Sequence, residues 1–86
     1  MKNRKMLPSF VEAKSVFYDE KAILFFDEAH SNNEERFILL GLSDLLNILV
    51  VCHCYKENNK TIRIFSCRKA TTKEQKYYIK ENRNEK

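Results

Sequence analysis

"TIRIFSCRKATTKEQKYY", Thr61 to Tyr78, decides how the rest of the chain is read. The alternation around Ile62, Ile64 and Phe65 suits a half-buried strand. Thr71, with Glu74 three residues later, has the capping-box spacing that opens a helix. Arg68 and Lys69 stand at the seam. A strand that carries two cations to the start of a helix can hold a polyanion or can be ordinary surface. The helix it leads into is expected from about Thr72 to Arg83. Its apolar stripe is thin, essentially Tyr77, Tyr78 and Ile79, so it is expected to dock by its tyrosines.

Working back along the chain, three more segments read as strands: "ILVVCHCY" from Ile48, "RFILLGLS" from Arg36 and "AILFF" from Ala22 to Phe26. The connections "DLLN" and "KENNK" are short enough for antiparallel hairpins, whereas a parallel crossover needs a dozen residues or more. Before the strands, Ser9 and Glu12 repeat the capping-box spacing, and Phe10, Ala13 and Phe17 recur at helical intervals, giving a helix from about Phe10 to Tyr18. Helix, four strands, helix is an α+β order: an antiparallel meander with an N-terminal and a C-terminal helix packed on it.

A chain of 86 residues is expected to make one domain, residues 1–86, with a small core. Its 43% hydrophobic and 33% charged residues are globular in proportion, and no apolar run approaches the roughly 20 residues of a membrane span. "MKNRKMLPSF" is basic but lacks the apolar stretch of a secretory signal, so a cytoplasmic protein is expected. Cys52, Cys54 and Cys67 are odd in number and lack zinc or redox spacing, which favours free thiols and no metal or other cofactor. Charge is uneven: from Lys60 onward there are nine Lys or Arg against three acids, while the formal net charge of the whole chain is only +4. The last third therefore suits a polyanionic or acidic partner, or is a solvated basic helix.

"DEAHSNNEERFILLGLS", "ILVVCHCY" and "IRIFSCRKATTKEQKYY" together resemble the pattern of the BrnT toxins, in which a D-x-x-H-S-x-x-E-E-R-F segment precedes a glycine-containing strand and an I-R-I-I-S-A-R-K-A-T segment precedes the last helix. The likeness covers roughly residues 10–79. It implies a RelE-like fold and the toxin component of a type II toxin–antitoxin system: a metal-independent ribonuclease that cuts messenger RNA, free or on the translating ribosome, and slows bacterial growth. The implied partners are RNA and a BrnA-like antitoxin in a two-plus-two complex, with no membrane. Family chains open with an F-E-W-D strand and an N-x-x-K-H-G segment. Here that strand is missing from the sequence and Met6 stands where the histidine would fall, so an unpaired sheet edge is expected. Leu46 and Asn47 replace a common Gly-Arg turn. A catalytically weakened homologue that only binds antitoxin or nucleic acid is the alternative function.

RNA cleavage without a metal needs proton transfer and preorganised positive charge. Arg68 leads the candidates, because it matches the second arginine of the resemblance motif and its planar fork suits phosphate; a local pair with Glu74 is the alternative. Strict alternation would put Arg63 on the opposite face from Arg68, so the two share a face only if the strand bulges or ends before Arg68, and an end near Cys67 is the expectation here. Otherwise Arg63 is structural, against Glu35 or Asp27. His53 is a candidate proton carrier or a buried, hydrogen-bonded side chain. Arg36 and Glu35 complete the catalytic set, while His30, Ser31, Glu34 and Glu35 are expected to fix the loop and hold Arg36 through carboxylate pairing. Lys69, Lys73, Lys76 and Lys80 have the spacing of one helix face and are expected to bind the RNA backbone, with Tyr77 or Tyr78 stacking on a base and the other anchoring the helix.

Overall fold

The computed structural model describes residues 7–83; Met6 and the segment where the family's first strand would fall lie outside them. Helix α1, Phe10–Ser15, starts where Ser9 Oγ accepts the Glu12 amide at 3.0 Å, and it tightens into a 3-10 turn over Val16–Tyr18. The expected helix to Tyr18 is thus α-helical for six residues only. Strands β1 (Ile23–Phe26), β2 (Phe37–Leu42), β3 (Ile48–Lys56) and β4 (Thr61–Lys69) pair antiparallel in the order β1-β2-β3-β4, and α2 runs Thr72–Arg83. This is the α+β meander the residue pattern implies. No helix of the described residues is long and apolar enough to cross a membrane.

Both faces of the sheet are covered, which explains the unbroken apolar run in β3. On one face, Leu39, Leu49, Val51 and Cys67 pack under Ala13 and Val16. On the other, Leu40 and Val50 pack under Ala70 and Tyr78. Gly41 is required by the first layer: a Cβ there would lie 2.8 Å from both Ala22 Cβ and Val16 Cγ1. Such separations are shorter than carbon atoms tolerate, so the chain after α1 can cross β2 only above a residue with no side chain.

Two buried or half-buried carboxylates tie the layers. Glu12, instead of completing its capping box, turns inward and accepts from Ser43 Oγ at 2.5 Å and Asn47 Nδ2 at 2.9 Å. Those hydrogen bonds hold its pKa below the usual carboxylate range. They also organise the β2–β3 turn, where Leu46 sits at φ 65° and Asn47 supplies the contact. Asp19 accepts from the Leu42 amide at 2.8 Å, the Lys21 amide at 2.9 Å and the Tyr78 hydroxyl at 2.6 Å, joining the post-α1 segment to β2 and α2.

Candidate functional site

Strand β4 does not end near Cys67; it continues to Lys69 and bulges instead. Cys52 pairs with Ser66 and His53 with Ile64, which leaves Phe65 as the extra residue. One extra residue inverts the alternation beyond it. Arg63 then lies opposite Cys54 and Arg68 opposite Val50, and Cys54 and Val50 have the same parity on β3. The two arginines therefore share the α2-side face, the expected outcome reached by the other of the two routes. They are separated by four residues of β3, roughly 13 Å along the strand.

Phe65 gathers two guanidinium groups. Arg36 Cζ lies 4.0 Å and Arg63 Cζ 5.4 Å from its ring centroid, both within cation–π range. Arg36 Nε is buried and has no hydrogen-bond partner among the described residues, so this charge is held by packing. Glu34, and not Glu35, is the nearby acid, at 3.9 Å from Arg36 Nη2 and 3.5 Å from Lys56 Nζ. Glu35 faces away with Phe37 and Tyr55, beside Asn59. The alternative of Arg63 pairing with Glu35 or Asp27 is not seen.

The loop that carries Arg36 is closed at its base. Asp27 N donates to Arg36 O at 2.8 Å, and Ser31 Oγ donates to Asp27 O at 2.7 Å while accepting the Arg36 amide at 2.9 Å. Asp27, Ser31 and Arg36 of the D-x-x-H-S-x-x-E-E-R segment thus make one knot. Inside it, His30 Nδ1 faces the Asp27 carboxylate at 3.1 Å.

Arg68 sits at the other end of the face and is engaged. Its Nη1 and Nη2 reach the two Glu74 oxygens at 2.8 and 2.9 Å. Glu74 also accepts the Thr71 amide at 2.8 Å, and Thr71 Oγ1 accepts the Glu74 amide at 3.1 Å, a complete capping box. The Arg68 hydrogen bonds, chiefly, pull the Glu74 carboxyl down to about 2. The pair borders a cavity of about 590 Å³ between α2 and the sheet, with Phe25, Ile38, Leu40 and Val50 as floor and Lys73 and Tyr77 on the rim.

Other candidates fall elsewhere. His53 is fully buried on the α1-side face, edge-on to Phe17 at 4.8 Å, with Nδ1 3.2 Å from Val51 O and Nε2 3.2 Å from the Tyr55 hydroxyl. Burial pushes its pKa down, and the sheet separates it from the arginines, so a proton-carrying role there does not fit. Lys69 belongs to β4, pairs with Leu49 and so points to the α1 side, which corrects its assignment to the helix row. Lys73, Lys76 and Lys80 remain on α2. Tyr78 is the buried anchor, with its hydroxyl on Asp19, which removes it from any stacking role; Tyr77 is 42% exposed and tilts against Phe25 at 6.1 Å. Residue-level reading missed Phe65, whose adjacency to Ile64 already broke the alternation, and the outward-facing His30. Among the described residues, no three or more His, Cys, Asp or Glu gather as a cation would require.

A family model described as "Ribonuclease toxin, BrnT, of type II toxin-antitoxin system" matches residues 3–74. No curated protein and no solved structure matches the chain.

Proposed function

The chain belongs to the BrnT family of ribonuclease toxins of type II toxin–antitoxin systems, and from that premise we propose that it cleaves RNA on the arginine-bearing face of its sheet. One observation carries the reading: the Phe65 bulge, with Arg36 and Arg63 drawn onto a single ring. Attack of a ribose 2′-hydroxyl on phosphorus builds charge on the non-bridging oxygens, and fixed guanidinium groups that need not reorganise lower that barrier most. Arg36 and Arg63 are assigned this role. Arg68, with Lys73 and Tyr77 along the cavity beside α2, is assigned to the flanking backbone and base, where contacts position more than they accelerate.

The substrate is messenger RNA and the consequence is arrested growth. A cognate antitoxin neutralises the protein by laying an acidic segment across the same cations, since one surface cannot hold two polyanions. Purified protein incubated with RNA in excess chelator tests the reading. Arg36→Ala and Arg63→Ala should each lose about 100-fold or more in rate, the scale of one lost transition-state donor, with unchanged circular dichroism. A wild type inert on RNA, or alanine variants that cut as well as it does, refutes the assignment.

A further inference from the structure

We infer that His30 is the general base of this site, oriented by Asp27; the inference rests on the ribonuclease reading above. A carboxylate only accepts, so the imidazole nitrogen 3.1 and 3.2 Å from its two oxygens, Nδ1, is the one that carries hydrogen. That fixes the neutral tautomer with its lone pair on Nε2. The His30 side chain is 68% exposed, whereas Asp27 is 15% exposed, so the acid orients from beneath and Nε2 has no partner among the described residues. This is the arrangement of an imidazole ready to take a proton from an incoming group.

Placement supports the assignment independently. His30 and Arg36 line one hollow of about 300 Å³, together with Ala29, Asn32, Asn33 and Glu34. The hydrogen-bonded knot at Asp27, Ser31 and Arg36 ties both residues into one closed loop, and Arg36 in turn rests on the ring shared with Arg63. The charged groups lining the hollow beside His30 are Glu34 and Arg36; Asp27 touches the His30 ring from the loop, and Lys56 of β3 pairs with Glu34. The second imidazole, His53, is buried on the far side of the sheet.

In the step assigned, Nε2 takes the proton of the 2′-hydroxyl as its oxygen bonds to phosphorus. The bond from phosphorus to the 5′-oxygen breaks, and that oxygen leaves with the electron pair and takes a proton from water. The hydroxide so formed neutralises the imidazolium, and the products are a 2′,3′-cyclic phosphate and a 5′-hydroxyl. Asp27 is a positioning residue.

The test is single-turnover RNA cleavage in chelator, with and without added imidazole, for the wild type, His30→Ala, Asp27→Asn and, as a reference, Arg63→Ala. His30→Ala should lose about 100-fold or more and recover part of the rate with added imidazole. Asp27→Asn, which keeps the base and loses only a hydrogen bond that orients it, should be slower by about tenfold at most and gain nothing from added imidazole. His30→Ala that retains the wild-type rate to within about threefold, or that is dead with an unaltered dichroism spectrum and no imidazole rescue, overturns the assignment. If Arg63→Ala is dead while His30→Ala is active, only the base is wrong; if the wild type is inert on RNA, the parent reading falls as well.

Discussion

Replacing Glu74 by glutamine should release Arg68 and tighten RNA binding. In the native protein both terminal guanidinium nitrogens are occupied by one carboxylate, at 2.8 and 2.9 Å, so an incoming phosphate must compete with it. Because the pairing holds the Glu74 carboxyl down at about 2, no pH near neutrality unlocks it. Arg68 and Glu74 are 49% and 34% exposed at their side chains, and solvent screening limits such a pair to about 0.5–1 kcal/mol. Freeing Arg68 should therefore strengthen binding by about two- to fivefold. Glutamine keeps a carbonyl for the Thr71 amide, so α2 stays capped. Fluorescence anisotropy with a non-cleavable 2′-deoxy oligonucleotide, titrated at several salt concentrations, should show the affinity gain and a salt slope steeper by about 0.7 for the added phosphate contact. Glu81→Gln, the same charge change farther along the same exposed helix, is the control for net charge. Equal affinities and slopes for the two variants would refute the placement of Arg68 in the RNA path. The linked stability effect has a definite sign. The folded carboxyl titrates below the unfolded one, so the pair stabilises above about 4.5 and its contribution fades as pH falls toward about 2. Glu74→Gln should be less stable at neutral pH by about 0.5–1 kcal/mol and converge on the wild type in strong acid.

Gly41→Ala forces a methyl to within 2.8 Å of Ala22 Cβ and Val16 Cγ1, and urea unfolding should show a loss of about 1–3 kcal/mol. Glu12→Ala leaves the buried Ser43 hydroxyl and the Asn47 amide without their acceptor, and the same assay should report about 1–3 kcal/mol. His53 is buried with a lowered pKa, so its stabilisation is present above the unfolded imidazole range and is lost as pH falls below it. In His53→Leu, unfolding free energy measured between mildly alkaline and mildly acid pH should have a shallower slope, the wild-type excess being at most about 1.4 kcal/mol per pH unit for one proton.

Elements were legible where period and caps agreed. Thr71 and Glu74 marked the start of α2, and the unbroken run in β3 required cover on both faces. The site was less legible because it depends on counting residues across strands. Parity inside β4 alone separates Arg63 from Arg68, and only the register against β3 reveals that Phe65 is skipped. The Ile64-Phe65 pair was the available sign, since two adjacent apolar residues in an alternating strand mean either a bulge or a two-sided burial. His53 drew attention as a proton carrier because an imidazole can change charge near neutral pH, whereas its burial is set by residues distant in the sequence. Phe17 and Phe37, with Tyr55, pack on its ring and seal it from solvent. Glu12 was read as a capping residue from spacing that is local, whereas its partners lie 31 and 35 residues away.

The division of labour between the faces explains why such a small chain can carry so many exposed cations. The α1 side contains Gly41, Val16, Ala13 and His53, and the Glu12 and Asp19 carboxylates are engaged there and at the sheet end, so the tight packing and most inter-element hydrogen bonds lie away from the arginines. On the α2 side, Tyr78 and Ala70 are the buried residues that close over Leu40 and Val50, and the face from Cys52 toward Cys54 carries Arg36, Arg63 and Phe65. Guanidinium groups held over one ring repel each other, and among the described residues the ion pair that offsets this comes from Glu34, itself shared with Lys56. On the reading proposed above, a bound anion would complete that face. Oligophosphate or RNA should therefore raise the melting temperature of the wild type more than that of Arg63→Ala, because a ligand stabilises only in proportion to its affinity for the folded state. Equal shifts in the two proteins would mean that the cations over Phe65 are not where the anion binds.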